Sequence, residues 1–217
     1  MNNFSDQVQE QLQPLANAEK AGAMAAYMRH RFAFLGIQTP LRRQHTLPLI
    51  RAFSGDPLAA ASKLWSLPQR EYQYVAVDLL RQQRRQLAGS HLPALEQLVL
   101  SKSWWDSVDG LAVTIGHIVW RERPLAARMD ALIESPEMWL RRVALLHQLD
   151  WKADTDQERL FAYCRQCAGE EEFFIRKAIG WALRQYARTN PEAVRCFLES
   201  HRQELSGLSL REAAKHL

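Results

Sequence analysis

Four segments of the sequence decide the fold: YVAVDLL at residues 74–80, SVDGLAVTI at 107–115, RVALLHQL at 142–149 and KAIGWALRQ at 177–185. They align on Val75, Val108, Val143 and Ala178, which are 33, 35 and 35 residues apart. A shorter helical segment precedes each of them, so the repeating unit is a pair of helices. This period is typical of a HEAT-like α-solenoid, in which antiparallel pairs bury each other's apolar faces and the second helices line one concave surface. The alternative is an irregular helical bundle with accidental spacing.

The composition agrees with an all-α fold. The 217 residues include 30 Leu and 28 Ala against 21 Val, Ile and Thr together, while Gly and Pro make 18. Ala and Leu favour helices, and β-branched residues, which favour strands, are scarce. Because 47% of the residues are hydrophobic, a disordered chain is also excluded. The length predicts one domain over residues 1–217.

Helical periodicity and capping residues predict thirteen helices. The side chains of Thr39, Asp56 and Asn190 each precede a proline and are the expected N-caps of the helices that follow. The predicted helices span residues 5–15, 17–31, 40–53, 57–67, 69–86, 93–102, 104–121, 124–133, 138–149, 156–168, 172–188, 191–201 and 209–216.

The sequence carries no apolar run that could span a bilayer, and its polar N-terminus lacks a signal-peptide core. We therefore expect a cytoplasmic protein with no membrane partner. Cys164 and Cys167 form a CxxC inside a predicted helix, without a second CxxC or a histidine pair nearby. The expected role of this pair is helix packing, with no metal.

The cations are dominated by arginine, 22 Arg against 6 Lys, although the net charge is only +4. A guanidinium group offers a planar set of donors that suits phosphate, so the bias points to a polyanionic partner. Solvated arginine faces on helices are the ordinary alternative.

The predicted helix 104–121 carries an unusual stripe. Trp105 and Asp109 are four residues apart and project from one side of the helix, and Ala112 and Gly116 continue that side with little bulk. An indole and a carboxylate would then border an open space. Trp104 diverges from Trp105 by about 100° and is expected to pack in the core. In the ordinary alternative, Asp109 only pairs with an arginine and Trp105 is also core.

Basic residues mark the next two second helices. Arg141 and Arg142 lie near the start of one, where backbone N–H groups also favour an anion. In the other, Lys177, Trp181, Arg184 and Arg188 follow at steps of four, three and four. A basic stripe that contains an indole suits a phosphodiester carrying a base. As alternatives, Arg142 is a surface residue and Trp181 braces two repeats. The remaining tryptophans are assigned to packing: Trp65, Trp120, Trp139 and Trp151.

Four blocks of the sequence carry a resemblance to a known family. AYMRHRFAFLGIQTPLRRQ at 26–44, SWWDSVDGLA at 103–112, MWLRRVALLHQL at 138–149 and EEFFIRKAIGWALRQYARTNP at 171–191 resemble, in order and spacing, the AlkD-type DNA alkylation repair proteins. These are HEAT-like DNA glycosylases that remove purines alkylated at N3 or N7 without a metal or redox cofactor. The resemblance covers nearly the whole chain.

The resemblance implies a role for particular residues. The family's catalytic aspartate falls on Asp109, and its two site tryptophans fall on Trp105 and Trp181. The arginine that holds the DNA backbone falls on Arg142, with Arg141 as the alternative register, and a tyrosine of the site falls on Tyr27. With Lys177, Arg184 and Arg188 as further phosphate contacts, the implied partner is duplex DNA with alkylated purines.

The expected function is therefore alkylpurine DNA glycosylase activity in base excision repair, by a monomer without a cofactor. Asp109 would stabilise an oxocarbenium-like sugar, and the indoles would favour a cationic base. Two alternatives keep the same scaffold: a non-catalytic binder of damaged or branched DNA, and a protein-interaction solenoid.

Overall fold

The computed structural model describes residues 3–217, and it is all-helical apart from one isolated parallel bridge between Ala33 and Gln69. Each of the thirteen predicted helices is present in the described chain, so the all-α prediction is confirmed. Among these residues, no helix is both long and apolar enough to cross a membrane. The helices are α1 Phe4–Leu12, α2 Ala18–Tyr27, α3 Thr39–Ala52, α4 Pro57–Ser66, α5 Arg70–Gln82, α6 Leu92–Leu100, α7 Trp105–Arg121, α8 Ala126–Ile133, α9 Met138–Leu146, α10 Gln157–Gln166, α11 Phe173–Ala187, α12 Pro191–Ser200 and α13 Gly207–Ala213.

Several helices are shorter than predicted. Helix α1 ends at Leu12 and continues as a 3₁₀ turn, Gln13–Leu15, because Pro14 has no N–H to donate to a carbonyl one α-turn back. Helix α2 ends at Tyr27 and not at residue 31, since both Arg29 and His30 adopt a left-handed conformation with φ 55°.

Two of the three predicted caps are confirmed. The side chain of Asp56 accepts hydrogen bonds from the first turn of α4, and that of Asn190 accepts one from the N–H of Ala193 in α12. The Thr39 cap is wrong, because α3 begins one residue earlier. Gln38 is the N-cap, without a side-chain hydrogen bond, and Thr39 already lies inside the helix.

The chain groups into two compact units, the first ending at Leu87 and the second spanning Ala88–Leu217. In the second unit, helices that follow one another in the chain pack as α6 on α7, α8 on α9 and α10 on α11, whereas α12 and α13 both pack against α11. The second helix of each pair packs against the next one, α7 on α9, α9 on α11 and α11 on α13. This is the stacking that a helix-pair repeat predicts. The single domain over residues 1–217 stays a prediction.

Two glycines let these second helices approach closely. A Cβ added to Gly116 of α7 would lie 1.7 Å from the carbonyl oxygen of His147, and one added to Gly180 of α11 would lie 2.4 Å from Cβ of Glu212. The indole N–H of Trp151 also donates to the Gly116 carbonyl, at 3.1 Å. The predicted open space beside Ala112 and Gly116 is therefore wrong. Ala112 is buried, and the backbone of His147 covers Gly116.

In the first unit, α4 packs against α5, and α3 packs against both α1 and α5. Its buried core includes Val8, Leu64, Trp65 and Leu79.

The packing role predicted for the tryptophans is confirmed for Trp65 and Trp151, which are buried. It is also confirmed for Trp139, whose ring contacts that of Trp104. The prediction is wrong for Trp120. That side chain is exposed at the end of α7, where its N–H donates to Asp154 at 3.1 Å.

Candidate active site

Helix α7 holds the two central residues of the predicted site. It begins at Trp105, and Asp109 follows one turn later, so both side chains lie on one side of the helix. Both are half-buried. Trp104 points elsewhere and is buried against Trp139 and Phe174, with ring centroids 5.8 and 4.9 Å away. The predicted divergence of the two neighbouring tryptophans is confirmed.

Asp109 forms a bidentate ion pair with Arg142 of α9. Nε of Arg142 donates to Oδ1 at 2.7 Å, and a terminal nitrogen donates to Oδ2 at 2.9 Å. The other terminal nitrogen of Arg142 donates to the carbonyl of Phe174, at the start of α11. The side chain of Arg142 is only 5% exposed and that of Asp109 is 15% exposed. The pair therefore ties α7, α9 and α11 together at one point.

The ionisation of Asp109 depends on two opposing effects. Burial raises the pKa of its carboxyl group, because removal from water disfavours the charged form. The hydrogen bonds and the positive charge of Arg142 oppose this rise. The raised pKa is the net result, and Arg142 is the group that supports the carboxylate.

Arg141 lies next in sequence but has different partners. Its guanidinium forms two hydrogen bonds with the carboxylate of Glu170, both at 2.8 Å, and donates to the carbonyls of Ser135 and Pro136 at 2.7 and 2.9 Å. Arg142 therefore pairs with Asp109, whereas Arg141 holds the neighbouring loops. Which of the two contacts the DNA backbone stays a prediction.

The basic stripe of α11 has an acidic partner that the sequence did not reveal. Glu212 of α13 accepts hydrogen bonds from Lys177 at 2.8 Å and from Arg184 at 2.7 Å. Lys215 also donates to it, at 2.8 Å. The ammonium groups of Lys177 and Lys215 lower the pKa of Glu212 to about 2, so it stays ionised at neutral pH. Arg188, at the C-terminal end of α11, is exposed.

Trp181 and Tyr27 complete the set of predicted site residues. Trp181 is half-buried on α11, seven residues after Phe174, a distance of about 10 Å along the helix. Tyr27 belongs to the first unit, where it is the last residue of α2 and its side chain is 72% exposed.

Cys164 and Cys167 are both buried thiols of the α10 region. Burial raises the pKa of each, that of Cys167 to about 12, so both are protonated at neutral pH. Within residues 3–217, no three His, Cys, Asp or Glu side chains are grouped as a metal site.

Comparison with known proteins identifies the family. Residues 8–217 match the sequence model of the family described as DNA alkylation repair enzyme. The chain belongs to this family. Its members act in the repair of alkylation damage, so DNA is the partner that membership indicates. The resemblance found in the sequence is therefore confirmed for the DNA alkylation repair family.

Solved structures agree with this assignment. A predicted DNA alkylation repair enzyme from Enterococcus faecalis is 36% identical, with 93% of this chain and 96% of that chain covered and a TM-score of 0.85. The structure of smu.31 from Streptococcus mutans UA159 is 14% identical, with coverage of 99% and 100% and a TM-score of 0.64, and it supports the fold alone. No curated protein sequence matches the chain.

Proposed function

We propose that this member of the family is an AlkD-type alkylpurine DNA glycosylase. Its substrate would be a cationic purine, alkylated at N3 or N7, in duplex DNA, and its products the free base and an abasic site. The observation that carries this proposal is the Asp109 carboxylate, half-buried one helical turn from the indole of Trp105 and held by two hydrogen bonds from Arg142.

The chemistry needs a carboxylate more than it needs a general acid. The alkylated purine already carries a positive charge, so it leaves as a neutral base with the electron pair of the C1′–N bond. The sugar becomes oxocarbenium-like, a water oxygen bonds to C1′, and that water loses a proton. Asp109 stabilises the positive sugar and can orient the water. One well-placed electrostatic group of this kind contributes about 3 to 4 kcal/mol.

Arg142 acts in this proposal through Asp109. A side-on guanidinium fixes the plane of the carboxylate and supplies the countercharge that keeps it ionised in a half-buried position. Three of its five N–H donors are used by Asp109 and Phe174, which leaves two for a phosphate of the DNA backbone. The positioning role and the phosphate role implied by the resemblance are therefore compatible.

The remaining residues would bind the DNA. The faces of Trp105 and Trp181 attract a cationic base by about 0.5 to 2 kcal/mol each, which favours alkylated over normal purines. Lys177 and Arg184 already share Glu212, so each would exchange or share that partner on meeting a phosphate. The other backbone contacts in this proposal are Tyr27, Arg141 and Arg188.

The proposal is tested by incubating the protein with methylated duplex DNA and measuring free 7-methylguanine and 3-methyladenine by chromatography. We expect release by the wild-type protein and a large loss in Asp109→Asn. Asp106→Asn is the matched control, because it removes a carboxylate from the first turn of the same helix. This control should retain most of the activity.

The other outcomes separate the alternatives. Tight binding of damaged or branched duplex without release of a base would contradict the glycosylase and support a non-catalytic DNA binder. If the protein neither releases a base nor binds DNA, the protein-interaction solenoid is the remaining alternative.

A further inference from the structure

The turn after α2 combines unusual backbone conformation with positive charge. Arg29 and His30 both have φ 55°, in the left-handed region that glycine adopts most readily. The N–H of His30 donates to the carbonyl of Ala25 at 2.7 Å, and that of Arg29 donates to Ala26 at 3.0 Å. This is the Schellman pattern of a helix C-terminus, in which the position held here by Arg29 is usually glycine.

The side chains of this turn point into solvent. Arg29, His30 and the neighbouring Arg31 are exposed, and the adjacent ring of Tyr27 is 72% exposed. A cation near a helix C-terminus is favourable, but one cation suffices for that effect and it does not require a left-handed backbone at two successive residues. Backbone strain of this kind is concentrated at functional sites. Helix capping therefore does not account for the exposed cationic side chains of Arg29 and His30.

The segment that follows the turn is held rigidly within the first unit. The fully buried carboxylate of Glu71 accepts hydrogen bonds from the N–H groups of residues 35–37, at 2.9 to 3.0 Å. The guanidinium of Arg70 lies 3.9 Å from the ring centroid of Phe32. The backbone N–H of Arg70 donates to the carbonyl of Ala33 at 2.8 Å. Before the turn, the buried side chain of Met28 anchors the end of α2. The exposed cations are therefore presented on a fixed loop.

The first unit also carries the excess positive charge. Residues 1–87 contain eleven Lys and Arg against six Asp and Glu, a net charge of +5, whereas residues 88–217 contain seventeen against eighteen, a net charge of −1. From Lys20 to Gly55 there are six Lys and Arg and no Asp or Glu. An anionic partner is therefore attracted to this segment, which contains no acidic residue that would repel it.

We propose that the turn at Arg29 and His30 is a binding site for the phosphates of duplex DNA, with Tyr27 beside it. This inference rests on the proposed function, because DNA is the polyanion that the family acts on. Arg29 donates to a phosphate oxygen, and His30 borders the same stretch of backbone. The contact is independent of base sequence, and it holds DNA without taking part in bond cleavage.

The experiment measures the affinity for a short unmodified duplex at several salt concentrations, with the full chain and three variants. Arg29→Asn removes the charge but keeps a residue that tolerates the left-handed conformation. Arg29→Lys keeps the charge. Lys63→Gln, an exposed cation of α4 in the same unit, is the control for the loss of one charge. Thermal unfolding of each variant reports folding separately.

We expect Arg29→Asn to bind about tenfold more weakly at low salt, with a slope of log affinity against log salt smaller by about one. Arg29→Lys and Lys63→Gln should bind as the wild type does. The inference is overturned if Arg29→Asn keeps the wild-type affinity and slope, or if it changes only the unfolding temperature, which would indicate a helix-capping role. Either result leaves the proposed glycosylase intact. If the wild-type protein neither binds duplex DNA nor releases alkylated bases, both proposals fail.

Discussion

The Asp109–Arg142 ion pair gives a sharp prediction about stability. Replacing Asp109 with asparagine leaves the guanidinium of Arg142, 5% exposed, without its countercharge. Breaking a buried pair from one side costs about 3 to 5 kcal/mol. Because Asp109 retains 15% exposure, we expect the lower end, about 3 kcal/mol. For a chain of this length that corresponds to a fall in melting temperature of about 6 to 12 °C.

A second substitution separates the charge from the packing. In the double variant Asp109→Asn with Arg142→Gln, no charge remains buried, and the two amides can hydrogen-bond to each other. We expect it to recover at least half of the stability that Asp109→Asn loses, since replacing both partners of a buried pair is far less costly than removing one. The double variant should nevertheless release no alkylated base.

The assay is thermal and urea unfolding of the wild type, both single variants and the double variant. Glu192→Gln is the control for an exposed pair, because the Arg195–Glu192 contact at 2.9 Å has both side chains largely in solvent. It should cost less than about 1 kcal/mol. The reasoning is refuted if Asp109→Asn melts within about 2 °C of the wild type, or if the double variant is no more stable than Asp109→Asn.

Three further predictions follow from the packing and the titrating groups. Gly116→Ala should destabilise the protein by several kcal/mol, because its Cβ would lie 1.7 Å from the carbonyl oxygen of His147, whereas Gly22→Ala on α2, with nothing within 4 Å, should stabilise it by up to about 1 kcal/mol; equal melting temperatures for the two variants would contradict this. Burial lowers the pKa of His147 to about 4, so the folded protein favours the neutral imidazole. The stability that this preference contributes is complete above pH 6.5, and the free energy of unfolding should fall by about 3 kcal/mol as the pH drops from there towards 4. His147→Gln should flatten unfolding free energy against pH in that window, and parallel curves for His147→Gln and wild type would be inconsistent with this. Finally, the raised pKa of Asp109 places the acid limb of base release above the ordinary range of an aspartate, and Arg142→Gln should move that limb to higher pH, because it removes the groups that lower this pKa; single-turnover rates against pH give the limb, and a shift to lower pH would argue against the assignment.

The helices were predictable because their signals are local. Apolar periodicity located all thirteen, and the caps Asp56 and Asn190 act within one turn of the helix they begin. The assignment of Trp104 to the core is also confirmed, and Trp105 is half-buried. The helical angle between neighbours is not the reason, because Trp104 is the extended N-cap of α7, which begins at Trp105 and not at residue 104 as predicted. The least predictable end was that of α2, where arginine and histidine take the left-handed conformation without a glycine to mark it.

The partners of the site residues were not predictable in the same way. The sequence left open whether Asp109 pairs with an arginine, and the pairing depends on how α7 packs against α9, 33 residues away in the chain. Glu212 lies 28 residues after Arg184 and 35 after Lys177, so nothing local to the basic stripe signals its partner. The small residues Ala112 and Gly116 were interpreted as the border of an open space, but they allow close packing of helices instead. A small residue on a helix is compatible with either arrangement, so the sequence does not distinguish the two.

The most direct test of the central claim is the single-turnover rate of 7-methylguanine release from methylated duplex DNA by the wild type and by Asp109→Asn. The account predicts release by the wild type and a rate lower by about 10² to 10³ in the variant, with similar DNA affinity. An Asp109→Asn variant that is folded, binds DNA and releases the base at the wild-type rate would contradict it.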